Sequence, residues 1–260
     1  MKKTKKSNFL EWNNHVFISS IKKINFLILL IIVLDAFFYF SISSIFFYGR
    51  IRLLEKEASI SLPNLSATSS ITDEQLKQLN DAADATKSFK NLLIFSILMF
   101  LIIVVFLASI IKGIIWAITT KAKITFSLIS KFLALNLIWM SICFGIIFMI
   151  SNFIQIELAP IFMLAALTLL IYLTNTLYTL FMKHQKLKSI FSALKLNVLK
   201  IHLFLLPYLV VALLFLILFW IGSFFKFNYA VIAHSLILIT YIAFVRYYVS
   251  TLVFEIEALK

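Results

Sequence analysis

Six stretches of this chain are almost continuously apolar, and each is about as long as a bilayer is thick. They cover residues 24–48, 91–111, 132–150, 161–182, 201–221 and 229–253. A helix rises about 1.5 Å per residue, so roughly 20 apolar residues cross the hydrocarbon layer. The six runs lack the in/out alternation that a strand of a membrane barrel needs. Their backbone polar groups must therefore be satisfied within each segment, which predicts helices. The reading is an all-α integral membrane protein with six transmembrane helices, forming one transmembrane domain over residues 1–260. Pro160 suits the first turn of the fourth helix, where its missing N–H costs nothing. Pro207 lies inside the fifth and predicts a kink unless the helix starts near it.

Between the runs the pattern becomes amphipathic. Residues 7–23 place Phe9, Trp12, Val16, Phe17 and Ile21 on one helical face. Residues 184–200 do the same with Leu187, Ile190, Phe191, Leu194 and Val198, while Lys186, Lys188 and Lys195 point elsewhere. Ile124, Leu128 and Ile129 make a weaker third stripe. Such segments are predicted to lie along the membrane surface as interfacial helices. Residues 49–90 are the one sizeable polar insertion. Residues 61–70, with Pro63 and Asn64, read as a turn. Thr72 and Gln75 fit a capping box, so a helix is predicted to start near Asp73 and run into the second span. Leu76, Leu79, Ala83 and Thr86 would face Ile51, Leu54 and Ala58, giving an extracytoplasmic helical hairpin. Asn64-Leu65-Ser66 is a possible glycosylation site.

Charge sets the orientation. The side holding the N-terminus receives Lys2, Lys3, Lys5, Lys6, Lys22, Lys23, Lys112, Lys121, Lys123, Lys131, Lys183, Lys186, Lys188, Lys195, Lys200 and Lys260. The other side receives Arg50, Arg52, Lys56, Lys77, Lys87, Lys90 and Lys226, largely offset by Glu55, Glu57, Asp73, Glu74, Asp81 and Asp84. The positive-inside rule then puts both termini in the cytoplasm. The net charge of +13 does not imply nucleic acid, because the cations punctuate apolar runs instead of lining a soluble face. Their expected partner is a cell-membrane bilayer with anionic headgroups on its cytoplasmic face, together with a cytoplasmic or membrane protein. The basic start resembles a signal peptide, but the apolar run behind it is too long, which predicts an uncleaved anchor. Cys143 is the single cysteine, so no intramolecular disulfide forms.

Two charges stand inside the apolar runs, Asp35 and Arg246. A charge in hydrocarbon costs about 2.5–3.5 kcal/mol on insertion scales, so each needs a partner. Their depths are close enough for an ion pair between the first and last helices. Asn136 and Asn175, with Thr174 and Thr176, are expected to extend this into one polar patch, read as glue between helices with a substrate or proton path as the alternative. His202 and Lys200 are read as interfacial, and His234, near the outer end of the sixth helix, as packed or wetted.

The chemistry of catalysis is missing. His15, His184, His202 and His234 are scattered, with no H-E-x-x-H pair. Ser141 and Ser223 lack the glycine-flanked setting of a nucleophile, and Gly113, Gly145 and Gly222 are too isolated for a phosphate loop. No catalytic residue, metal or cofactor is expected. The predicted role is a non-enzymatic membrane component: a scaffold, assembly or envelope protein. The alternative is a membrane permease subunit or small transporter, paired with a separate ATPase. Against that alternative stand only 4 glycines and no clear broken helices, which many transporters use to expose backbone.

Overall fold

The computed structural model describes residues 9–58, 73–155, 157–224 and 230–259, and these form helices without a strand. In chain order they are α1 (Phe9–Lys23), α2 (Leu27–Ala58), α3 (Asp73–Thr120), α4 (Phe126–Phe153), α5 (Ala159–His184), α6 (Ser189–Leu199), α7 (Ile201–Ser223) and α8 (Ala230–Ala258). Six of them, α2–α5, α7 and α8, are long and apolar enough to cross a membrane. The chain divides into two compact units, Met1–Phe37 with Ala108–Lys260, and Phe38–Leu107.

The first unit is organised around α8. Half of the apolar window of α8 is buried, against 22% or less in every other span. Its inward side runs through Ile239, Ala243, Arg246, Val249, Ser250 and Val253, at helical spacing. Next to it lies an aromatic core. The Phe132 ring sits 4.8 Å from that of Tyr178 and 5.6 Å from that of Phe181, and Trp116 meets Tyr178 edge-on at 5.9 Å. Gly113 permits this approach, because a Cβ there would lie 3.1 Å from Phe132 Cδ1. The outward faces carry large apolar side chains such as Leu137, Leu164, Leu213 and Phe219, all exposed. Water would penalise that arrangement, whereas lipid tails do not.

Two of the amphipathic segments form separate helices, α1 and α6, and the apolar stripe read in each is packed to a different extent. In α1 the buried residues are Asn13, Val16 and Ser20, while Phe9 and Ile21 stay exposed. Phe17 joins α1 to α8 through edge contacts with Phe244 and Tyr248, at 5.9 and 5.7 Å. In α6 the packed side is Ser189, Ile190, Ala193 and Asn197, and Phe191, Leu194 and Val198 point away, exposed. The third stripe is not a separate helix. Thr125 caps α4 by accepting from the Leu128 N–H at 3.1 Å, so Leu128 and Ile129 are the opening turns of a spanning helix, and Leu128 is fully buried.

The turn before α4 and the turn after α5 use a residue in the left-handed region, Lys121 (φ 58°) and Gln185 (φ 53°). At the first, the Ala122 N–H reaches back to the Ala117 carbonyl at 2.8 Å; at the second, the Gln185 N–H bonds Phe181 at 2.6 Å. Pro160 stands in the first turn of α5, and α7 runs through Pro207 without interruption.

The second unit contains the C-terminal part of α2 and the N-terminal part of α3. The two limbs exist, but their expected apolar faces do not close. Leu54, Leu76 and Leu79 are exposed. A stripe of leucines diluted by Ala83 and Thr86 gives the limbs too little to interlock. They touch through Phe46 and Phe100, 6.0 Å between ring centres, and leave a groove of about 920 Å³ bordered by Leu53, Phe95 and Ile103. The predicted 61–70 turn, Thr72 and Asn64 lie outside the described residues, as do the Gln75 side chain, Lys2, Lys3, Lys5, Lys6, Lys226 and Lys260.

Candidate functional site in the apolar helices

Three spanning helices bring one charged residue each to a common point in the first unit. Ile31 and Asp35 are one turn apart on α2 and fully buried. On α3 the inward side runs Ala108, Ser109, Lys112, Ile115, Thr119. On α8 it presents Arg246, 6% exposed. The guanidinium grips the carboxylate with both arms. Arg246 Nη1 donates to Asp35 Oδ2, and Nη2 donates to Oδ1 at 2.9 Å. Lys112 Nζ adds a third bond, to Oδ1 at 2.6 Å. The forked geometry is the strong form of a carboxylate pair. The cluster holds one anion and two cations.

Lys112 corrects the sequence reading, which ended the second span at residue 111 and assigned this lysine to the cytoplasmic loop. Instead α3 continues to Thr120, which buries Lys112 about 12 Å from its end at 1.5 Å per residue. The signal was present: Ile114, Ile115, Trp116, Ala117 and Ile118 prolong the apolar run beyond the lysine.

One turn from Lys112 on α3, Ser109 opens a neutral network. Asn136 Nδ2 of α4 donates to Ser109 Oγ at 3.0 Å, and Tyr178 Oη of α5 donates to Asn136 Oδ1 at 2.6 Å. Farther along α4, Trp139 Nε1 donates to Thr174 Oγ1 at 2.8 Å. Thr176 donates to Asn197 Oδ1 at 2.9 Å, tying α5 to α6, and Tyr241 of α8 donates to the Val211 carbonyl of α7 at 2.6 Å. The expected single patch is thus assembled only in part. Asn136 joins the network, whereas Asn175 is half-buried beside Tyr208 of α7. Among the described residues, no three His, Cys, Asp or Glu side chains converge as metal ligands would.

No family model, curated protein or solved structure matches this chain.

Hydrogen bonds between apolar helices are worth about 0.6 kcal/mol on average and up to about 1.7. Asn136→Leu removes two and strands the hydroxyl of Tyr178, so the expected loss is about 1–2 kcal/mol. Tyr178→Phe should cost less alone. In the double variant the two losses should not add, because they remove one shared bond. Unfolding by SDS in mixed micelles measures all three; fully additive losses would mean that the Asn136–Tyr178 bond contributes nothing.

His234 packs against the α7 backbone. A Cβ on Gly222 would fall within 3 Å of three atoms of the His234 ring, so glycine is what lets these two helices meet there.

Proposed function

We propose that the chain is a non-enzymatic component of the cell membrane. It acts as a scaffold or assembly protein through lipid and protein contacts, with both termini cytoplasmic. One observation carries this reading: the charged side chains inside the apolar helices, and the Ser109–Asn136–Tyr178 set, are occupied by one another. Both oxygens of Asp35 are taken by Arg246, and one of them also by Lys112. Asn136 is held between Ser109 and Tyr178. A translocation path wants polar groups open to a passing solute; these instead join helix to helix. The orientation rests on the basic segments that flank the spans. Lys121 and Lys123 follow α3, and Lys186, Lys188, Lys195 and Lys200 lie around α6, all on the side of Lys22 and Lys23 if each long helix crosses once. The exposed Phe191, Leu194 and Val198 of α6 then rest on the headgroup layer, as an interfacial helix does.

Sealed proteoliposomes test the reading. The purified chain should support no proton, ion or solute flux above that of empty vesicles. Photo-crosslinkers at Phe191 or Val198 in native membranes should yield a discrete protein adduct. Flux that disappears in a folded Asp35→Asn variant would instead identify a permeation protein.

A further inference from the structure

The spans of the first unit are packed over only part of their length. In α4, Leu128, Phe132, Leu135 and Trp139 are buried, but no residue from 140 to 153 is. The same holds for residues 159–169 of α5, 209–221 of α7 and 230–238 of α8. All four segments lie in the halves of the spans remote from α6. Each hairpin keeps one seam there. On α4 the less exposed positions are Cys143, Ile147, Ile150 and Ile154, a single line at helical spacing. In the other hairpin the Tyr241 ring of α8 meets Phe215 of α7 at 5.9 Å, its hydroxyl holds the Val211 carbonyl, and His234 lies against Gly222. A helix packed on two neighbours protects two faces, and none of these segments shows a second protected line. The α4–α5 and α7–α8 hairpins therefore stand apart in this half. Where α5 and α7 do meet, Tyr172 and Tyr208 pack edge-on at 5.0 Å, and that layer is the floor beneath the gap.

The polar side chains divide in the same way. In the packed half they reach across helices, as Ser109, Asn136 and Tyr178 do, and Trp139 with Thr174. In the open half Ser141, Ser151, Asn152, Thr168, Ser235 and Thr240 each donate to a carbonyl of their own helix four residues back. Those groups offer little to a neighbouring protein or to water. Spanning helices associate through small residues that let backbones approach and through polar bonds between helices. The small residue available here, Gly145, is not used that way: a Cβ on it would meet nothing within 4 Å. What faces the gap is instead large and apolar, including Phe144, Phe148, Leu164 and Leu213, all exposed. Water filling the gap would pay the full cost of wetting them.

We propose that phospholipid acyl chains occupy the space between the α4–α5 and α7–α8 hairpins, making this half of the first unit a laterally open, lipid-filled cleft above a closed base. The occupant has to be apolar throughout, because no polar group is turned toward it. It also has to be deformable, because the exposed side chains form no matched surface. Hydrocarbon chains of the adjoining leaflet meet both demands, whereas a second copy would bring the same bulky, self-bonded faces. The inference goes beyond the scaffold reading and needs only that the spans lie in a bilayer, whichever side is cytoplasmic.

The test is the collision rate of nitroxide labels with oxygen, which concentrates in lipid, and with a water-soluble nickel chelate. The full chain is reconstituted in dioleoyl phosphatidylcholine vesicles. Single cysteines replace Ile142, Phe144, Gly145 or Phe148, which point in different directions around α4, or Val231, Ile232 or Leu236 on α8, in a Cys143→Ala chain. All seven sites are exposed, so labels should be accepted, and an unchanged SDS unfolding midpoint checks folding. Every site should show high oxygen and low nickel collision. Cys143 on the seam, labelled in the native chain, should be lower in oxygen by about threefold or more, because packed side chains leave little room for it. A second oxygen-poor face on α4 or α8 would overturn the cleft, and would mean that protein closes the gap. Spin–spin broadening that vanishes on dilution with unlabelled chain would identify that protein as a second copy. Nickel access at these sites would also overturn it, in favour of a water-filled path. A closed gap leaves the scaffold's flux measurement untouched, and Asp35-dependent flux would reject the scaffold while leaving an oxygen-rich, nickel-poor cleft standing.

Discussion

Asp35→Ala should destabilise the folded chain by at least about 3–5 kcal/mol, the usual cost of removing one partner from a buried ion pair. Here the loss strands two cations at once. Arg246 is 6% exposed, and the Lys112 side chain 14%, so neither is positioned to recover full hydration without moving. Asp35→Asn should be nearly as damaging, because an amide keeps one acceptor but none of the charge. The result expected for Lys112→Met is different. The forked Arg246 pair remains, and the cluster passes from one anion with two cations to a matched pair. That variant should lie within about 1 kcal/mol of the native chain, since the desolvation of one ammonium is also removed. Replacing all three by leucine or methionine should recover most of what Asp35→Ala loses. The measurement is the SDS fraction at half-unfolding, read from the aromatic circular dichroism of the Phe132–Tyr178 core. If the triple variant is no more stable than Asp35→Ala, the charges do more than neutralise one another.

The same residues show what the sequence reveals and where it falls silent. Asp35 and Arg246 stand out because a charge within an apolar run has no cheap solvent, and their depths were enough to pair them. Lys112 was missed because a lysine bordering an apolar run is normally its interfacial end. Only the apolar residues that follow it reveal that α3 continues to Thr120. The six runs are legible for a related reason: length and continuity of apolar character are set by the thickness of the solvent, not by neighbours. Faces are not legible in the same way. In water an apolar stripe marks the side that packs. Next to lipid, apolar side chains are equally at home on either side of a helix. Periodicity therefore finds the stripe of α6, whose Phe191, Leu194 and Val198 are exposed, but not that Ser189 and Asn197 are buried on another side. The neutral network was half visible: Asn136 drew notice as a polar residue in a span, but Ser109 and Tyr178, its partners, look ordinary in sequence.

Lysine placed on the outward face of α7 should have an effect opposite to that expected for a protein surrounded by water. Leu209 and Leu213 are each 50% exposed, and Leu213 lies near the middle of the helix Ile201–Ser223. On a soluble protein, a leucine this open accepts lysine at little cost and with better solubility. In hydrocarbon the same change costs about 2.5–3.5 kcal/mol on insertion scales, and a second lysine at Leu209 adds a similar amount. Snorkelling relieves part of this near a helix end but less at mid-span, where the ammonium must climb about half the bilayer. α7 is the appropriate helix because its apolar window is only 11% buried, so most of it has no protein neighbour to hide a charge against. Leu213→Ala should change little, since lipid can fill the space that a smaller side chain vacates. The check is a glycan-acceptor tag inserted after α7, whose modification reports on which side that loop emerges. The native chain and Leu213→Ala should be modified on the outer side, and Leu209→Lys with Leu213→Lys should lose most of that modification. If the lysines leave both insertion and stability unchanged, α7 does not lie in lipid. The exposed leucines and phenylalanines of this chain would then need a protein partner to cover them.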